Sequence, residues 1–123
     1  MKIGVAMRGA GVNGAVGIGV INALEELGLS PNVLCASGGE IPGVLIWALI
    51  AIGADKIMTV EPQIKGEVNI GKAEAGHKSD FTARPVLDPE RLSGSGAAEY
   101  CRRCGYDYIM SNAAGLIDAL RTK

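Results

Sequence analysis

A chain of 123 residues is one domain at most, with room for a real but small core. Its 12 basic and 13 acidic side chains nearly cancel, which excludes the electrostatic footprint of a nucleic-acid binder. A mean hydropathy of +0.24 is high for a soluble monomer of this size and points to an apolar interface with a second subunit, another domain or a membrane surface.

Residues 2–8 are rich in Ile, Val and Met and read as a buried first strand. Arg8 interrupts their apolar run, so the start does not read as a secretory signal. The cluster Gly9-Ala10-Gly11-Val12-Asn13-Gly14 follows as a loop. Residues 14–27 predict a helix, with Val16, Val20, Ala23 and Leu27 on one face and Gly28 as its stop. Ser30-Pro31-Asn32 is a turn, and 33–36 a short apolar strand ending at Ser37. A second helix is expected over 39–52, with Pro42 in its first turn, where a missing N–H costs little. Its apolar run, 41–52, is well short of the roughly 20 residues of a membrane span, so it reads as a buried helix.

The second half is less regular. Lys56–Val60 reads as a strand, and Gly66–Phe81 as an exposed polar loop holding His77 and Asp80. Asp88 and Pro89 look like the N-cap and first residue of a helix that Ser93-Gly94-Ser95-Gly96 weakens and that resumes to Cys104. Tyr106–Met110 is expected as a strand and Ala113–Leu120 as a terminal helix. Three cysteines suggest a reducing, cytoplasmic setting. Cys101 and Cys104 form a lone CxxC, weak as a zinc signal; on a helix both thiols face a core. No metal or cofactor is expected.

The opening β-α-β-α order implies parallel strands joined by a right-handed crossover. Both loops then emerge at the carboxyl ends of adjacent strands, where α/β sites form. The first loop admits two chemistries. As G-x-G-x-x-G after a strand it can hold a pyrophosphate, but the acidic ribose anchor is missing at the end of the second strand, which reads Cys35-Ala36-Ser37. As an oxyanion hole, its N–H groups face a tetrahedral intermediate built on Ser37.

Two stretches carry a family resemblance. Gly19-Val20-Ile21-Asn22-Ala23-Leu24-Glu25-Glu26-Leu27-Gly28 and Ser37-Gly38-Gly39-Glu40-Ile41-Pro42-Gly43-Val44-Leu45 are similar to the first helix and the serine elbow of the patatin-like phospholipase family. The resemblance spans residues 9–48 and stops before the family's Asp-Gly motif. It implies a single patatin-like domain over 1–123, whole or partial: an α/β three-layer sandwich with a mostly parallel sheet, reduced or incomplete. It implies a serine acyl hydrolase acting on a lipid or other ester. Ser37 would be the nucleophile, with Gly9, Ala10 and Gly11 as the oxyanion hole and Cys35, Gly38 and Gly39 framing the elbow. The family's dyad uses an aspartate and no histidine, which leaves His77 as a solvated loop residue.

The chain departs from the family at several positions. Cys35 stands at the first elbow glycine, Ala10 at the middle loop glycine and Asn13 at the loop arginine. No aspartate here is followed by glycine. Asp80 and Asp107 are the substitute bases within the chain, and a complementing chain is the other source. A homo-oligomer, and peripheral contact with a membrane, are the partners expected. The alternatives are a catalytically inactive patatin-like assembly or binding protein, and a nucleotide binder at Gly9–Gly14.

Overall fold

The computed structural model describes residues 2–9, 14–37, 43–66 and 79–121, with side chains for all of these except 37 and 43–45. Among these described residues, six strands and four α-helices run in chain order. They are β1 (Ile3–Arg8), α1 (Gly14–Glu26), β2 (Val33–Ser37), α2 (Gly43–Ala51), β3 (Lys56–Val60) and β4 (Gln63–Ile64). There follow β5 (Phe81–Ala83), β6 (Val86–Leu87), α3 (Ala97–Ser111) and α4 (Ala113–Arg121). The main sheet has the order β2-β1-β3-β5 and every pair in it is parallel. The expected α/β class with a mostly parallel sheet is therefore present.

Alternation along β1 sorts the core into two faces. Ile3 and Val5 join Val16, Val20, Leu24, Met58, Ile109, Leu116 and Leu120 in one cluster. Ala6 joins Ile46, Leu49 and Ile57 in the other. Residues of α1, α3 and α4 thus share the first cluster and residues of α2 the second. Gly4 is what lets α2 approach, since a Cβ there would press on Leu49 and Ala54 at 3.1 and 3.2 Å.

The register of the parallel strands is fixed at their amino ends by one device used three times. The residue just before a strand gives its own N–H to a carbonyl of the neighbouring strand and takes that residue's N–H on its side chain. Asn32 pairs this way with Ile3, at 2.8 Å in both directions. Asp55 pairs with Lys2 at 2.7 Å in both directions. Asp80 pairs with Ile57 at 2.7 and 2.8 Å. Each side chain occupies the ladder position that a further strand residue would take, so a strand-end donor is satisfied.

At the other end the β3–β5 ladder continues past the rest of the sheet. Glu61, Gln63 and Lys65 donate to the carbonyls of Ala83, Pro85 and Leu87, with β4 pairing β6. Of these short strands only Phe81, the first residue of β5, falls within Gly66–Phe81, the segment expected as a loop. The strand expected at Tyr106–Met110 is instead the second half of α3. Ala97, Cys101, Gly105 and Ile109 recur every four residues and are the ones buried, the spacing of one helix face. The Asp88 cap is present, with its Oδ1 accepting from the N–H of Glu90 at 3.0 Å, although it starts only a single 3-10 turn, Pro89–Arg91.

Helices α1 and α3 touch backbone to backbone. A Cβ on Gly19 would overlap the carbonyl of Arg102, and one on Gly105 the carbonyl of Val16. Replacing either glycine by alanine forces the helices apart and is expected to destabilise by about 2 kcal/mol or more, even after alanine's helix preference is counted. Gly115→Ala on the exposed side of α4, where a Cβ meets nothing, should stabilise by about 0.5–1 kcal/mol. Urea unfolding of the three variants checks both signs. The same assay tests the strand-entry device: Asp80→Ala should cost about 1–2 kcal/mol, and Asp80→Asn, which keeps an acceptor, clearly less.

Candidate functional site

Ser37 is the last residue of β2 and lies in register with Arg8, the last residue of β1. One residue on, Gly9 has φ of 147°, a conformation that side chains other than hydrogen rarely allow. The ends of β1 and β2 therefore lie one strand spacing apart, about 5 Å. Ser37 sits where the first loop begins, as the strand order implied. The side chain of Ser37 lies outside the described residues, as do Ala10, Gly11, Gly38, Gly39, Glu40 and His77.

The described carboxyl edge adds a charged row that the sequence reading passed over. Arg8 is half-buried and donates from Nη2 to the carbonyl of Pro62 at 2.6 Å. Met7 pairs with Val60, so Glu61 is the next position on β3 beside Arg8. Glu61 meets Arg84 at 3.3 Å, across the β3–β5 ladder. Ser37, Arg8, Glu61 and Arg84 thus follow one another across the four strands. The signal was available: each stands directly after an apolar strand run.

Cys35, the residue in place of the first elbow glycine, is half-buried and in register with Ala6. It packs against the α2-side cluster of Ala6, Ile46, Leu49 and Ile57. Burial pushes its thiol above the usual cysteine range. The larger side chain at this position is thus taken up by core.

Neither carboxylate named as a substitute base is brought to Ser37. Asp80 is at the amino edge, its carboxylate occupied by the N–H of Ile57. Relative to Ser37 it lies about 13 Å back along the strands and about 14 Å across three strand spacings. Asp107 is exposed on α3, where it lines an open cavity of about 320 Å³ with Pro85, Val86, Cys104, Tyr108, Ser111 and Asn112. That cavity is beside β6, which continues the β5 side of the sheet, the side opposite to β2.

The CxxC lies on α3, with Cys101 fully buried and Cys104 packed against the same core. Burial, with a contribution from Cys104, pushes the Cys101 thiol up. Among the described residues no helix is long and apolar enough to cross a membrane. Comparison with known families, with curated proteins and with solved structures found no match in any of the three.

A raised thiol pKa means less thiolate at a given pH, and the thiolate is the reactive form. Cys35 should therefore react with iodoacetamide more slowly than an exposed peptide cysteine at pH 8. Its rate should go on rising with pH after the peptide's has levelled off. Peptide mapping of timed reactions reads both; a Cys35 rate that matches the peptide would contradict the burial argument.

Proposed function

We propose that this chain is a patatin-like serine acyl hydrolase, acting on a lipid or other ester through Ser37. In this reading the fold is the family's three-layer sandwich in reduced form. The observation that carries it is the register: Ser37 at the carboxyl end of β2, level with Arg8 and one residue short of the glycine-only backbone at Gly9. A hydroxyl at a strand end and N–H donors one strand away are the two parts an acyl transfer needs.

The Ser37 hydroxyl adds to the ester carbonyl while a carboxylate takes its proton. The N–H groups of Gly9, Ala10 and Gly11 hold the resulting oxyanion. Collapse expels the alcohol, which takes the proton back, and leaves an acyl-serine. Water then attacks the acyl carbon and gives a proton to the carboxylate; the acyl–oxygen bond to Ser37 breaks, Ser37 takes that proton back, and the carboxylic acid leaves. The carboxylate is assigned to a complementing chain, since Asp80 and Asp107 both lie away from Ser37.

The same placement of Asp80 and Asp107 favours a second reading, a patatin-like protein that has kept the elbow for assembly or binding and lost the base. Intact mass after exposure to a fluorophosphonate separates the two. The hydrolase reading expects one adduct on the wild type and none on Ser37→Ala. A folded wild type that takes no adduct, alone or with a candidate complementing chain, supports the inactive protein instead.

A further inference from the structure

Strand β2 forms one edge of the main sheet, pairing only with β1 among the described residues. Edge strands are usually guarded by a charge, a proline, a bulge or shortness. β5, at the other edge, is three residues long and followed by Arg84 and Pro85. β2 reads Val33-Leu34-Cys35-Ala36-Ser37 and has none of these guards.

The helices that enter and leave β2 carry apolar side chains turned to solvent. Ile18 on α1 is 56% exposed, Leu34 on β2 is 48% exposed and Trp47 on α2 is 70% exposed. Ile50 and Ile52 add to the α2 side. Divided between α1, β2 and α2, these residues leave roughly 500 Å² of mainly apolar surface open to water, toward the upper end of what a monomer's largest patch exposes and more than half of the about 800 Å² per partner of a stable interface. The backbone edge and its flanks supply the remainder. Residues 14–24, 33–37 and 43–52 contain no charge, so two copies of this surface do not repel each other.

We propose that the occupant is a second copy of this chain, with β2 paired antiparallel to β2 of its partner about a twofold axis perpendicular to the sheet. Such an axis keeps each face on its own side. It sets α1 beside α1 and α2 beside α2, so the apolar side chains of both faces meet their own copies. Full-length pairing places Cys35 on the axis. The result is one continuous eight-stranded sheet, and a closed pair rather than an open fibre. The proposal does not rest on the acyl-hydrolase reading.

Sedimentation and light scattering at micromolar concentration test it, and twice the 12.7 kDa chain mass is expected. Trp47 is the single tryptophan, so its emission should be blue-shifted and shielded from iodide in the dimer. Amide exchange in 33–37 should slow roughly tenfold or more as the protein is concentrated. Leu34→Lys and Trp47→Glu alter exposed side chains and should each return a folded monomer. A monomer throughout the micromolar range overturns the proposal. So does a dimer that survives both substitutions, or one in which 33–37 exchanges no more slowly than in the monomer.

Discussion

The architecture depends on the paired hydrogen bonds at the strand entries. A parallel sheet has no tight turn to fix which residue faces which, because consecutive strands are joined by long crossovers. Here Asn32, Asp55 and Asp80 fix it. Each locks its strand to a neighbour by an N–H given and an N–H accepted, before the apolar run begins. A slip of one residue would break both bonds and exchange the two faces of the strand. With the amino ends locked, the carboxyl ends follow: Ser37 can only fall beside Arg8, and Glu61 only on Arg8's other side.

The abundance of glycine serves a second constraint. Helix α1 is pressed between the sheet and α3. Gly17 faces Met7 of β1, while Gly19 and Gly105 let the two helix backbones meet. A helix held this closely needs no aromatic residue to fill the space between layers. That suits a chain with 4% aromatics whose described buried core is made of Val, Leu, Ile, Met, Ala and Cys. It also makes α1 a stiff support behind the end of β1, from which the glycine loop departs.

Much of this was legible in the sequence, and the misses share a cause. The first sixty residues have clean apolar runs separated by glycine and turn residues, and α1, β2 and β3 lie where periodicity placed them. At Tyr106–Met110 the four-residue spacing of Cys101, Gly105 and Ile109, a stripe that packing against α1 explains, outweighs the β preference of the tyrosines. β4, β5 and β6 are two or three residues long and exist because their neighbours pair with them. No window of their own sequence could show that. Asp80 was legible as chemistry and illegible as position. A carboxylate in a polar stretch resembles a base until the register places it at the far end of the sheet, already holding the N–H of Ile57.

The site and the open edge belong to one strand, and this links them physically. A serine at the end of a central strand is held from both sides. Ser37 ends a strand that, among the described residues, is held from one side only, through β1. Edge strands fray first, because half of their backbone groups bond to water instead of to a neighbour. An acyl-transfer site needs its nucleophile and oxyanion donors fixed to within a fraction of an ångström. Pairing β2 on its free side would add the missing constraint to the same residues that carry the proposed chemistry. Under the two proposals, assembly and catalysis become one problem: whatever covered β2 would also set how rigidly Ser37 is presented.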